Sequence, residues 1–194
     1  MSAIPAAGTE GSPASVPDTP SRIGPLIVAF AVGSAVAIGF GVYGRLHNPT
    51  GQAINLAGFS SGIAAKAWLS TAAFVFGLVQ IFTAMILYGR IKISGGWVAP
   101  VHRWSGRVAV ALTVPVAVHC LYALGFQGYS GRVLVHSILG CFFFGAFVSK
   151  MLILTREDSP GWALPALGGA VFSGLTALWM TAALWFFSTN GLTT

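Results

Sequence analysis

His102, His119 and His136 fall in one continuous stretch, HRWSGRVAVALTVPVAVHCLYALGFQGYSGRVLVHSILG, that reads as a helical hairpin. Gln127 and Gly128 mark the centre of its loop, and His119 and His136 lie equally far from that centre on either side. In an antiparallel helix pair this spacing sets the two imidazoles at one depth, where they can hold a haem iron from opposite faces. Two other uses of such a pair compete: a polar contact between helices, and a proton path or a different metal site. An ionisable residue inside an apolar span is costly and marks a functional site by default.

The residues around the pair suit a large flat cofactor. Gly140 follows His136 by one turn in HSILG, and Gly106 follows His102 at the same offset in HRWSG. A glycine there leaves space for a porphyrin face, or lets two membrane helices approach closely. Pro115, one turn before His119, removes one helical hydrogen bond and bends the helix near the imidazole. Arg132 lies one turn from His136 towards the loop, where a guanidinium can take a haem propionate bidentately or reach to lipid headgroups. Tyr122 and Tyr129 are further candidates for the same role. His102 lies roughly 25 Å along the helix from His119, at 1.5 Å per residue, so it cannot serve the same iron. Met151 is the nearest residue that could oppose it, and a capping or quinone-contacting His102 beside Arg103, Trp104 and Arg107 is the competing expectation. His47, in the first loop, is expected to face solvent.

The elements that must position these residues are membrane spans. Of 194 residues, 55% are hydrophobic and 7% charged, with a mean hydropathy of +0.80, where a soluble domain carries roughly 25% charged residues. The composition describes an all-α polytopic bundle in a lipid membrane. Five segments of spanning length are expected, at 23–43, 63–88, 101–126, 133–154 and 162–187, each near or above the ~20 residues that cross the hydrocarbon core. Residues 1–22, rich in Pro, Ser, Ala and Thr, read as a disordered tail. They lack the positive n-region of a signal peptide. With the N-terminus cytoplasmic, Arg22, Arg90, Lys92, Arg103, Arg107, Lys150 and Arg156 fall inside, and Arg45, Lys66 and Arg132 fall outside. That imbalance sets the C-terminus outside and places His119 and His136 near the outer face. Trp97, Trp104, Trp162 and Trp185 fall near span ends, as an aromatic belt does. The net charge of +6 reports topology and anionic lipid, not nucleic acid, because no basic face forms outside the membrane. Cys120 and Cys141 are not spaced as metal ligands, and no Cys-x-x-Cys-His occurs, so covalent c-type haem is excluded. The Arg, Ala and Gly usage points to a bacterial plasma membrane.

Between Trp97 and Leu154, HRWSG at His102 and HSILG at His136, with His119 one helix-length after the first, resemble the haem-binding helices of the cytochrome b561 and ferric-reductase-like families. The resemblance implies a helical bundle holding non-covalent haem b. The b561 pattern holds two haems on four histidines from four helices, whereas here only His119 and His136 pair, which implies one haem. The expected function is membrane electron transfer, with His119 and His136 as axial ligands between spans three and four. Arg132, Gly140 and His102 are further cofactor contacts. Electrons would pass between the quinone pool or a membrane partner and an outer-face redox protein. The rival is a haem-free accessory or scaffolding subunit of a respiratory complex, suggested by Gly168, Gly169 and Gly174 in the fifth span. A transporter would need more polar material at mid-membrane than Gln80 and Thr83.

Overall fold

A computed structural model of the chain describes residues 23–52, 55 and 58–194. The tail expected over residues 1–22 lies outside the described residues. The described chain is all-helical, and five helices are long and apolar enough to cross a membrane. They are α1 (Gly24–Leu46), α2 (Gly62–Leu87), α3 (Val98–Leu124), α4 (Gly131–Leu154) and α5 (Ala163–Asn190).

Local chemistry sets most of the ends. Pro25 occupies the first turn of α1, where its missing N–H costs nothing. Ser61 and Ser130 cap α2 and α4, their hydroxyls accepting from Ala64 N at 3.1 Å and Val133 N at 3.3 Å. Two spans widen before they end. α3 becomes π-helical over His119–Leu124, starting one turn beyond Pro115, and α5 does so over Met180–Leu184. Gly125 then stops α3 with φ at +69°, a conformation that suits glycine.

Two boundaries differ from the sequence expectation for visible reasons. α1 runs past Tyr43 to Leu46 because His47 stacks between Tyr43 and Tyr122, at centroid distances of 5.0 and 5.1 Å. The α3–α4 loop also fastens there, with Phe126 N donating to Gly44 O at 2.7 Å. α3 begins at Val98, ahead of Val101, since Pro100 is tolerated in a first turn.

The packing order is the main departure from a simple hairpin. α3 packs along α2, α2 also meets α5, and α4 packs along α1 and α5. α3 and α4 do not pack along each other among the described residues. The ring α3–α2–α5–α4–α1 closes only where α1 meets the π-helical end of α3. Small buried clusters hold it together. Leu26, Ala29, Ile153, Ala163 and Leu167 lie at one end, Ala73, Phe143 and Leu175 in the middle, and Ala64, Ala67, Ala183 and Phe186 at the other. Ile27, Val28, Ile38, Phe82 and Ile138 are among the large apolar side chains left on the outside, where lipid solvates them as well as a core would.

The tightest seam is α1 on α4. A Cβ at Gly145 would lie 2.6 Å from Gly33 O and 2.9 Å from Ala37 Cβ, and Ser149 Oγ donates across the seam to Ala29 O at 3.0 Å. Gly145→Ala should therefore cost roughly 1–3 kcal/mol, the usual range for overpacking. Gly39→Ala, whose Cβ would meet nothing within 4 Å, should be near neutral. Thermal unfolding of the two variants in detergent checks the contrast; equal behaviour would mean that the seam yields.

Candidate functional site

Because α3 and α4 stand apart, a cavity of about 670 Å³ opens between them at the end of the bundle that holds the α3–α4 loop. Every span contributes to its wall: Phe40 from α1, Lys66 from α2, Cys120 from α3, His136 from α4 and Trp179 from α5. The volume lies within the ~300–1,000 Å³ of ordinary ligand sites, and the walls are mostly apolar with a few polar groups, as such sites are. Both π-helical segments border it, through Ala123 and Leu124 on one side and Thr181 to Ala183 on the other. Such departures from regular helix collect at functional sites.

His136 is half-buried on the cavity wall. Its Nδ1 lies 2.9 Å from Thr181 Oγ1, and the direction of that hydrogen bond follows from the next one. Thr181 Oγ1 lies 2.7 Å from Ala177 O. A carbonyl oxygen can only accept, so the single hydroxyl proton of Thr181 goes to Ala177. Thr181 Oγ1 must then accept from His136 Nδ1–H. The imidazole is left with its lone pair on Nε2, the nitrogen not engaged by Thr181. A ring whose Nδ1–H is pinned in this way has the tautomer and orientation of a metal ligand or proton acceptor.

Arg132 also lines the cavity. Its Nη1 donates to Thr181 O at 2.6 Å, and its guanidinium carbon sits 3.8 Å from the centroid of the Trp185 ring. Thr181 thus orients two cavity groups, the imidazole by its hydroxyl and the guanidinium by its carbonyl. Gly140 lines the same wall, and a Cβ there would meet nothing within 4 Å. Its role is open space beside the imidazole, not a close helix approach. Tyr129 is on the lining as well, while Tyr122 turns away to stack on His47.

The pairing of His119 with His136 across a helix hairpin is not what the structure builds. His119 lies where α3 turns π-helical, is 5% exposed, and is not part of the cavity wall. No side-chain hydrogen bond joins it to a described residue. The expectation assumed that consecutive helices pack face to face; here α3 is committed to α2 instead.

His102 sits at the opposite end, in a polar contact between α2 and α3. Its Nδ1 meets Thr83 Oγ1 at 2.8 Å, and Thr83 in turn donates to Val79 O at 2.7 Å. Gln80 Nε2 donates to His102 O and to Ser105 Oγ, the latter at 2.8 Å. The notch at Gly106 is filled by the Gln80 carboxamide, whose Oε1 would lie 3.0 Å from an added Cβ. A porphyrin face cannot use that notch, so the space expected beside His102 is absent. Met151 is exposed and offers no buried partner to His102. His47 is also corrected: it is half-buried between two tyrosine rings, and its Nε2 lies 3.1 Å from Tyr122 O. Facing a carbonyl, that nitrogen must carry a proton.

Two residues of the site escape sequence reasoning. Thr181 lies in an unremarked apolar run, MTAAL, of the fifth span. Lys66 carried a signal, a lysine one turn inside α2, but it reads equally well as a topology marker. Among the described residues no three His, Cys, Asp or Glu side chains converge as a bare metal-ion site.

Residues 26–194 match DUF6529, a family of unknown function, and the chain belongs to that family. No curated protein and no solved structure matches it.

The Thr181 network makes a spectroscopic prediction. In protein labelled with ¹⁵N-histidine, Thr181→Val should remove the Nδ1–H signature of His136, and Thr181→Ser should keep it. An unchanged tautomer in Thr181→Val would show that another group sets it.

Proposed function

We propose that the protein is a membrane-bound b-type haem protein for electron transfer, with the haem in the outer cavity. The observation that carries this reading is the His136 imidazole, held by Thr181 with its Nε2 unengaged on the wall of an apolar cavity. The residues present fit the group. The cavity is large enough for a planar macrocycle, Gly140 leaves its wall open, and Arg132 supplies a fixed guanidinium for a propionate. When bound, the haem would supply a one-electron couple. The chain would hold it through His136, whose orientation Thr181 fixes, and would surround it with an apolar shell that excludes water.

Among the described residues the only acidic side chains are Glu157 and Asp158, in the α4–α5 connection. Without carboxylates in the spans, coupled proton chemistry has few carriers, which favours simple electron passage. On the charge pattern of the loops, the cavity faces outward and the N-terminus is cytoplasmic, in a bacterial plasma membrane. Electrons would then run between the quinone pool, or a membrane partner such as a respiratory complex, and an outer-face redox protein. The His102 cluster has the residues for a polar contact between helices and is not part of this site.

One observation favours the rival, a haem-free accessory subunit. At Gly168 and Gly169 on α5 an added Cβ would meet nothing within 4 Å, so a partner helix could approach there closely. Gly174 differs, since it is covered by Phe142 and Phe143.

A reduced-minus-oxidised absorbance spectrum of the purified protein decides between them. The haem reading expects b-type bands, their loss in His136→Ala, and about 10–100-fold weaker haem binding in Thr181→Val. Absence of the bands, or bands indifferent to His136→Ala, would sink it.

A further inference from the structure

The cavity carries two cationic side chains, Lys66 from α2 and Arg132 from α4. Neither meets an acidic side chain among the described residues, since Glu157 and Asp158 lie at the other end of the bundle. Lys66 is half-buried, and none of its three N–H donors is taken by a side-chain hydrogen bond to a described residue. Arg132 spends one N–H on Thr181 O and stacks its face on Trp185, which holds the guanidinium in place and leaves its other donors free. A cation at membrane depth that the protein does not neutralise is expensive. Two of them on one apolar cavity call for a ligand that brings the negative charge.

We propose that Lys66 and Arg132 form a two-point clamp for the carboxylates of an amphiphile bound in the cavity, so that the cavity selects a dicarboxylic planar body over its neutral ester. Arg132 offers a planar fork suited to one carboxylate, and Lys66 a mobile point charge for the other. They stand on different helices, so occupation would also tie α2 to α4, which do not pack along each other among the described residues. This rests on the haem-site reading, because haem is such a dicarboxylate, and it adds Lys66 to the residues that hold it.

An iron-free pair of probes separates the clamp from iron ligation. Protoporphyrin IX has both carboxylates and no metal, and its dimethyl ester has neither carboxylate free. Binding of each to the purified full chain in neutral detergent can be read from porphyrin fluorescence and from quenching of Trp179 and Trp185, which line the cavity. The diacid should bind about tenfold or more tightly than the diester, as expected for hydrogen bonds to charged groups. Lys66→Gln and Arg132→Gln should each remove most of that preference, and Lys66→Arg should keep it. If Arg132→Gln fails to fold, Lys66→Gln decides alone.

Equal binding of diacid and diester, or a preference unchanged in Lys66→Gln, overturns the clamp. Displacement of the diacid by added phosphatidylglycerol, lost in Lys66→Gln, would assign the cations to a lipid phosphate and also overturn it. A diacid preference without a His136-dependent haem spectrum would support the clamp while removing the haem. A His136-dependent spectrum without diacid preference would do the reverse.

Discussion

Lipid offers no hydrogen bonds, so a polar hydrogen in a span finds its acceptor within the protein or in something bound to it. At the end of the bundle that holds the α3–α4 loop, that constraint falls on Thr181. Its hydroxyl proton is committed to Ala177 O, its oxygen to His136 and its carbonyl to Arg132. The commitments form a chain in one direction. Because the threonine has no second proton, the imidazole has no choice of tautomer, and its basic nitrogen is the one not facing α5. Thr181 lies within the π-helical turn of α5, so the irregular backbone and the oriented side chains belong to one feature.

The cavity exists because of what the helices do elsewhere. The α1–α4 seam is drawn tight by Gly33, Gly145 and Ser149, and α3 is held to α2 by the Gln80, Ser105, Thr83 and His102 contacts. With α4 committed to α1 and α3 committed to α2, no described helix closes the space between α3 and α4 at the end that holds their loop. Pro49 of the first loop and the widened end of α3 line its rim instead. Thr50 N and Gly51 N donate to the carbonyls of Tyr122 and Ala123 at 3.3 and 3.1 Å, while His47 wedges between two tyrosines.

The five spans were legible because placing ~20 consecutive residues against lipid constrains every residue in the segment, and composition alone records it. Ends were legible where a single residue acts locally, as Ser61, Ser130 and Gly125 do. His136, Arg132 and Gly140 were legible as a group because they lie one helical turn apart, and local spacing places them on one face. What spacing cannot show is which other helix that face meets. The symmetry of His119 and His136 about their loop is real in sequence, yet loop symmetry fixes depth and not direction, and His119 is outside the wall. Thr181 stayed hidden for the same reason, since its partners are 45 and 49 residues away in the chain.

His102 and His136 make this point within one molecule. Each is followed one turn later by a glycine, and each gives its Nδ1 to a threonine whose own proton goes back to the carbonyl one turn earlier. By local chemistry the two are equivalent. They differ in what lies over the glycine. At Gly106 the notch holds the Gln80 carboxamide, which also bonds to Ser105 and the His102 carbonyl, so the imidazole is part of a satisfied interhelical network. At Gly140 no described residue fills the notch, and the imidazole borders a cavity with two cations that meet no acidic side chain among the described residues. The same pair of side chains therefore forms part of a helix-to-helix tie at one end and borders an open cavity at the other. The side chain that decides between these outcomes, Gln80, stands on a different helix from either histidine.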